Sequence, residues 1–202
     1  MVRGHDSEDS VGSAAAPIAE AVLDVLTESQ ILGFLGERSV AEAAEHSRGF
    51  VRALSGSSGR VIDIGAGGGL PGLVIAHDRP DLELVLVDRR SKRTDFLRRV
   101  VRRLGWNDRV AVQEADVEQV ILREAGGFDS VVARGFGPPS ETIRLASRLV
   151  RGGGRIVISE PPTGDRWEPE LLEALGLIRL DDHTDSVSVF QPTDGSNASR
   201  ET

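Results

Sequence analysis

Residues 61–72 read VIDIGAGGGLPG, and this stretch decides the fold of the chain. Its first four residues, Val61 to Ile64, are β-branched except for one aspartate and predict a short buried strand. A glycine-rich turn follows, and the apolar segment 70–77 after it can start a helix. Glycines let a backbone approach a ligand closely, and a helix amino terminus offers free N–H groups. The stretch therefore predicts a nucleotide-type binding site.

Two kinds of ligand fit this turn. Gly67, Gly69 and Gly72 match the G-x-G-x-x-G fingerprint of dinucleotide-binding proteins, although Gly67 lies three residues beyond the strand. The other pattern is an acid followed by G-x-G-x-G, formed here by Asp63, Gly65, Gly67 and Gly69. This spacing resembles motif I of the Rossmann-like methyltransferases that use S-adenosylmethionine. In that class the acid acts near the methionine amino group and the glycines pass under the ribose. A pyrophosphate gains nothing from a nearby carboxylate, so we favour the methyltransferase; a glycine turn without a ligand is the third interpretation.

The composition is that of an ordinary globular chain. The chain has 202 residues, of which 39% are hydrophobic and 28% charged, as expected for one domain with appendages. No apolar run approaches the roughly 20 residues of a membrane span, and residues 1–13 are too polar for a secretory signal. Cysteine is absent, and no zinc-type spacing of His, Asp and Glu occurs. We predict a cytoplasmic protein with no metal and no membrane partner.

The net charge of −8 argues against binding of naked nucleic acid by bulk electrostatics. A local basic face nevertheless exists in the middle of the chain. Its members are Arg89, Arg90, Lys92, Arg93, Arg98, Arg99, Arg102, Arg103 and Arg109. These side chains either contact RNA phosphates or form a solvated helix exterior, and the pattern leaves both interpretations open.

Four segments are predicted. They are a disordered tail over 1–16, a helical cap and linker over 17–59, a cofactor-binding methyltransferase domain over 60–192 and a second disordered tail over 193–202.

Three helices are predicted in the cap. Pro17 suits a first helical position, and a second short helix covers 27–35. Ser39 and Glu42 form a capping box that begins a third helix over 39–54.

Strands and helices alternate after the glycine turn. The predicted strands are 61–64, 82–87, 109–112, 128–133 and 155–159, followed by a hairpin of 177–180 and 187–190. Helices lie between them, including one that Ser91 caps. This alternation predicts an α/β fold of the Rossmann-like class I methyltransferase type. Its sheet is seven-stranded and mostly parallel, with helices on both faces and the small helical cap in front.

Ligands of such sheets bind at the carboxyl ends of the strands. Asp88 ends the second strand, where a carboxylate accepts hydrogen bonds from ribose hydroxyls or caps the next helix. After the third strand, Asp116 or Glu118 is a candidate acceptor for the adenine amino group, with Val117 covering the ring. Phe136 follows the fourth strand and either stacks on a flipped base or belongs to the core.

A family resemblance rests on several of these residues. Leu70-Pro71-Gly72, Asp88 and the block Lys92-Arg93 with Phe96-Leu97 resemble the bacterial glucose-inhibited-division protein B family, as do Val117-Glu118 and the strand 128–134. Members of that family are small-subunit ribosomal RNA guanine-N7 methyltransferases. The resemblance covers about residues 46–160. It implies S-adenosyl-L-methionine as cofactor and rRNA or the small ribosomal subunit as partner. The residues that it assigns to the cofactor or the site are Gly65, Leu70, Val117, Glu118 and Arg134.

The substrate side departs from the family pattern. His46 stands at a fitting distance before the glycine turn, but Gly49 and Phe50 follow it where the family has Asp-Ser. After the fifth strand the family has a lysine and a glycine, whereas this chain has Ser159-Glu160-Pro161-Pro162.

Arg134 and Glu160 are the predicted catalytic residues. Both end neighbouring strands, so both are expected to face the methyl donor. Guanine N7 carries a free lone pair, so its methylation needs positioning more than a base. Glu160 either accepts hydrogen bonds from guanine N1–H and the 2-amino group or pairs with Arg134 and orders the loop.

Three functions fit the sequence. The first is guanine-N7 methylation of small-subunit (16S) rRNA by a monomeric enzyme. The second is methylation of a small molecule by the same fold, and the third is a non-catalytic module that keeps the cofactor site.

Overall fold

The computed structural model of the protein describes residues 16–161, 166–184 and 186–193, with the backbone alone for 182–184. The predicted tails, 1–16 and 193–202, lie outside this part except for their inner ends. Arg48 donates to the carbonyl of Ala16, and the Thr193 N–H donates to the carbonyl of Gly176.

One seven-stranded sheet forms the centre of the molecule, in the order β3-β2-β1-β4-β5-β7-β6. The strands are β1 Arg60–Ile64, β2 Glu83–Asp88, β3 Val110–Glu114, β4 Phe128–Ala133, β5 Val150–Ser159, β6 Leu177–Thr184 and β7 Val187–Pro192. The first five are parallel, and β7 runs antiparallel to both β5 and β6. The predicted mostly parallel Rossmann-like sheet and its final hairpin are thus confirmed.

Helices cover both faces of the sheet. They are α1 Glu20–Ile31, α2 Val40–Ala53, α3 Gly72–Asp78, α4 Ser91–Arg103, α5 Val117–Glu124, α6 Pro139–Leu149 and α7 Pro169–Ala174. Leu84 and Leu86 of β2 point to the core shared with α1–α4, whereas Val85 and Val87 point to the core shared with α5–α7. Successive side chains of a strand alternate between faces, so one apolar run builds two cores.

The cap contains two helices, and the predicted separate helix over 27–35 is wrong. α1 continues through Thr27 to Ile31, and Gly33 then leaves the helix with a φ of +73°. The Gln30 side chain donates to the carbonyls of Gly36 and Arg38, which stabilises the turn before α2. Phe34 and Leu35 of the predicted helix pack against the core, and the ring of Phe34 lies 5.7 Å from that of Phe96, whereas Ile31 and Leu32 are exposed.

The predicted cap of α2 is confirmed, and that of α4 is wrong. Ser39 Oγ accepts from the Glu42 N–H at 3.5 Å, as an N-cap serine should. Ser91 is the first residue of α4, and Arg90 before it makes no side-chain cap bond. Asp88 Oδ1 instead accepts from the Arg90 N–H at 2.8 Å.

Candidate functional site

The loop between β1 and α3 forms one side of the candidate site. Gly65, Gly67 and Gly69 have φ values of +75°, +54° and +104°, which side-chain-bearing residues rarely adopt. Gly68 lies against the cap, because a Cβ there would be 2.6 Å from Ser29 Oγ. The Ser29 hydroxyl donates to the Gly68 carbonyl at 2.8 Å, so α1 packs directly on the loop.

Asp63 is buried under this loop, with 1% of its surface exposed. Its Oδ2 accepts from the Gly72 N–H at 3.0 Å, whereas Oδ1 has no partner among the described residues. Burial raises the pKa of Asp63 to about 7, because the carboxylate is removed from water. The hydrogen bond from Gly72 and the charge of Arg134 oppose this rise. The carboxylate therefore has an open acceptor in a place where an unpaired charge is costly.

Arg134 carries the complementary open group. β4 pairs with β1 so that Ala133 lies beside Ile64, and Arg134 therefore leaves the sheet next to Gly65. Its Nη1 is buried without a hydrogen-bond partner in the described part of the chain. Burial lowers the pKa of Arg134, and the charge of Asp63 opposes that change. An open carboxylate oxygen and an open guanidinium nitrogen at one edge suit a ligand with both an ammonium and a carboxylate group.

Asp88 fastens the glycine loop to the end of β2. Its Oδ2 accepts from the Gly67 N–H at 3.0 Å, and Arg93 Nη1 lies 3.4 Å from the same oxygen. Its Oδ1 accepts from the Arg90 N–H, so the helix-capping interpretation applies in part. A carboxylate has about four lone-pair positions, so both oxygens keep capacity for ribose hydroxyls.

A cavity of about 820 Å³ opens at the carboxyl ends of the strands. Five of the predicted cofactor residues line it: Gly65, Asp88, Asp116, Val117 and Glu118. Val117 is buried as the first residue of α5, a helix that the sequence did not predict. Asp116 and Glu118 flank it with exposed side chains, and the choice between them for an adenine amino group stays open.

The other predicted cofactor residues lie around this cavity and do not line it. The Gly69 backbone packs on Leu73, since a Cβ there would lie 2.5 Å from the leucine. Leu70 and Arg134 line a separate cleft of about 60 Å³ between the sheet and the cap. Arg38, which the sequence gave no reason to select, lines the same cleft.

Phe136 lies between two cavities. A Cβ on Gly65 would lie 2.6 Å from its ring, so the ring rests on the glycine loop. The residue lines the large cavity and also a neighbouring one of about 240 Å³. It packs on the core beside α5–α7 as well, so the core interpretation holds in part and a stacking role stays a prediction.

Glu160 lines the 240 Å³ cavity together with Arg166. Its Oε2 accepts from Arg166 Nε at 3.1 Å, and its Oε1 accepts from the Trp167 indole N–H. Arg166 also donates to the carbonyl of Ser159. The interpretation in which Glu160 pairs with Arg134 is therefore wrong. Arg134 and Glu160 line different cavities, and the expectation that both face the methyl donor stays a prediction.

Three of the nine members of the predicted basic face lie near acidic side chains. Arg93 lies near Asp88, Arg98 pairs with Asp95 at 2.9 Å and Arg103 pairs with Glu28 at 2.9 Å. Two further members, Arg99 and Arg109, lie over the rings of Phe96 and Trp106.

The described residues include neither a candidate metal site nor a candidate membrane-spanning helix. They hold no cluster of three His, Asp or Glu side chains suited to a metal ion. No helix among them combines the length and the apolar character that crossing a membrane requires.

Comparison with known proteins identifies the family. The model of the family described as rRNA small subunit methyltransferase G matches residues 27–175. The curated protein of that name from Acidothermus cellulolyticus is 43% identical over 98 residues, 48% of this chain and 42% of that protein. The one from Corynebacterium glutamicum is 31% identical over 162 residues, 79% of this chain and 71% of that protein. The chain spans about half the length of several such relatives.

A solved structure agrees with the fold. The SAH-bound methyltransferase PaMTH1 from Podospora anserina has a TM-score of 0.60 at 14% identity, covering 88% of this chain and 89% of that one. At this identity the likeness concerns the fold alone. The family match covers well over half of the chain and every site residue from Asp63 to Glu160. The chain therefore belongs to the rRNA small subunit methyltransferase G family.

Proposed function

We propose that this protein transfers a methyl group from S-adenosyl-L-methionine to N7 of a guanine in small-subunit (16S) rRNA. The assignment of the cofactor rests on two buried atoms without hydrogen-bond partners, Asp63 Oδ1 and Arg134 Nη1, at the edge of the glycine loop. The guanine and the rRNA rest on membership of the family.

The residues at the site fit this cofactor. Asp63 Oδ1 would accept from the methionine ammonium group, and Arg134 would pair with the methionine carboxylate. Asp88 would accept from the ribose hydroxyls, and Val117 would cover the adenine ring. When bound, S-adenosyl-L-methionine supplies an electrophilic methyl group on a sulfonium centre.

The site's composition suits methylation of a ring nitrogen. Guanine N7 needs no proton removed before it attacks, so the chain must mainly hold the base in line with the methyl group. No histidine appears among the described residues that line the 820 Å³ or the 240 Å³ cavity. We assign Glu160 to positioning, because both of its oxygens already hold Arg166 and Trp167 beside the smaller cavity.

A small-molecule substrate is the second candidate, favoured by the net charge of −8, which disfavours RNA in bulk. Tritium transfer from labelled cofactor to small ribosomal subunits, to free rRNA or to neither tests the choice. Label in the subunit or the rRNA is the expected result. Cofactor binding without label in either would favour the small-molecule enzyme or a non-catalytic module. We also propose that the protein is cytoplasmic and that it is a monomer. Light scattering of the purified chain would test the monomer.

A further inference from the structure

A second group of basic side chains lies at the edge of the cap. We call Arg38 and Arg52 the cap-edge cations; His46 lies on the same helix as Arg52, and Arg134, assigned above to the cofactor, lies beside Arg38. Arg38 lies in the turn before α2 and lines the 60 Å³ cleft together with Arg134, Ala43 and Leu70. His46 follows Ala43 by three residues on α2, which puts it on the same side of the helix. Arg38, His46 and Arg52 have exposed side chains.

His46 lies in the electric field of both cap-edge cations. Burial lowers the pKa of the His46 imidazole, and the charges of Arg134, Arg38 and Arg52 lower it further. The imidazole is therefore not counted among the cations. The charge of Arg38 likewise lowers the pKa of Arg134, in addition to the larger effect of burial. A phosphate placed between Arg38 and Arg52 would meet the positive potential that both guanidiniums produce.

Asp63 supplies a negative charge to Arg134, but no acidic side chain of the described residues pairs with Arg38 or Arg52. The ion pairs of these residues include none formed by Arg38, Arg52 or Arg134 with an acidic side chain. On α2 itself, Glu45 pairs with Arg48. On α4, by contrast, Arg98 and Arg103 are already paired with acids.

The position of the cleft indicates which anion would meet Arg38. Arg38 is exposed to solvent at the edge of this cleft of about 60 Å³. The cleft borders Leu70 at the end of the glycine loop, so a nucleic-acid strand with one base in the site would carry its phosphates past Arg38. Guanidinium groups match phosphate oxygens in geometry as well as in charge.

We propose that the cap-edge cations bind the phosphate backbone of the RNA substrate beside the base to be methylated. This inference rests on the proposed function, because it takes the substrate to be RNA. It assigns RNA affinity to the cap, and it gives a minor part to Arg98 and Arg103 of α4, which already pair with acids.

The test compares two variants of the full chain that lose the same charge. The first is Arg38→Gln with Arg52→Gln, and the matched control is Arg98→Gln with Arg103→Gln. Affinity for a small-subunit rRNA fragment is measured over a range of salt concentrations, and S-adenosylhomocysteine affinity is measured by calorimetry. We expect the first variant to bind RNA about tenfold more weakly or worse. Its slope of log affinity against log salt should fall by about 1.4–1.8, since each phosphate contact contributes about 0.7–0.9.

Cofactor affinity should stay unchanged in both variants, which excludes misfolding as the cause. An unchanged salt slope in the first variant would overturn the inference, as would an equal loss in the control, because bulk charge would then explain it. A wild-type protein that binds S-adenosylhomocysteine but no RNA would overturn the rRNA substrate and the inference together. A wild-type protein that binds RNA with no dependence on Arg38 or Arg52 would overturn the inference alone.

Discussion

The two sides of the sheet's carboxyl edge are built differently. At the end of β1, Asp63 accepts from the backbone N–H of Gly72, and its other oxygen stays open. At the end of β2, Asp88 accepts from the backbone N–H groups of Gly67 and Arg90. At the end of β5, side chains hold one another, because Glu160 accepts from Arg166 and Trp167. A site fixed by backbone leaves its side chains free for a ligand. A site fixed by side chains has used its polar groups before the ligand arrives, so its members act by holding each other in place.

The largest expected effect falls on the glycine-loop side. Asp63→Ala and Gly65→Val should each abolish S-adenosylmethionine binding. The first removes the open acceptor, and the second adds a side chain at a φ of +75° against the ring of Phe136. Calorimetry with S-adenosylhomocysteine measures the loss.

Gly33→Ala is the control for this prediction. Gly33 has a similar φ of +73°, but a Cβ there would meet nothing within 4 Å. Its cofactor affinity should match that of the wild type. Unchanged affinity in Asp63→Ala would defeat the assignment of the glycine loop, and tighter binding of NADH than of S-adenosylhomocysteine would favour a dinucleotide enzyme.

The burial of Asp63 should also appear in the pH dependence of stability. The pKa of Asp63 rises from 3.8 to about 7 on folding, so between these pH values the folded protein binds a proton that the unfolded chain does not. The contribution of Asp63 to the free energy of unfolding is therefore most favourable below pH 3.8 and is lost as the pH rises to about 7. The free energy of unfolding should therefore fall by about 1.4 kcal/mol per pH unit between those values from this group alone. Urea unfolding of Asp63→Asn should lack that fall. Parallel pH profiles of the two proteins would contradict the burial argument.

A smaller effect is expected on the β5 side. Glu160→Gln weakens a hydrogen bond to a charged group, which contributes about 1.5–3 kcal/mol, so methyl transfer should fall by about 10- to 100-fold. Cofactor affinity should barely change, since Glu160 does not line the 820 Å³ cavity.

Arg166→Gln provides the partner for a double-mutant cycle with Glu160→Gln. If Glu160 acts only by holding Arg166, the double variant should be no less active than the less active of the two single variants. Additive losses would show instead that Glu160 contacts the base by itself.

The smallest effect is expected on α4. Changing Arg98, Arg99, Arg102 and Arg103 together to glutamine should alter RNA affinity less than the two cap-edge changes do. Exposed ion pairs such as Arg103 with Glu28 contribute about 0–1 kcal/mol, so stability should change little as well. A loss of RNA affinity larger than that of the cap-edge variant would return the RNA-binding role to α4.

The sequence predicted best what depends on local pattern. The strand Phe128–Ala133 has the predicted bounds, and Asp63 and Gly65 lie at the end of β1 as their spacing required. The alternation of strands and helices predicted the class of fold and the edge where ligands bind, but not the order of the strands. Local signals sufficed here because the strand, the turn and the helix are consecutive in the chain.

What the sequence missed depends on residues that meet only in the fold. Arg166 follows a proline- and glycine-containing segment without periodicity, so nothing marked it as the partner of Glu160. Arg38 comes from the cap and Arg134 from β4, and neither position indicates that they share a cleft. The helix α5 has only eight residues, too few for a clear helical period.

The central claim is that this chain methylates guanine N7 in small-subunit rRNA. Small ribosomal subunits that lack such methylation should be incubated with the protein and S-adenosyl-L-methionine, and the rRNA then treated with borohydride and aniline, which cleaves at N7-methylguanosine. We expect a new cleavage at a guanine of the small-subunit rRNA that is absent with Asp63→Ala. Methyl transfer to another atom of the RNA, or no transfer by a protein that binds the cofactor, would contradict it.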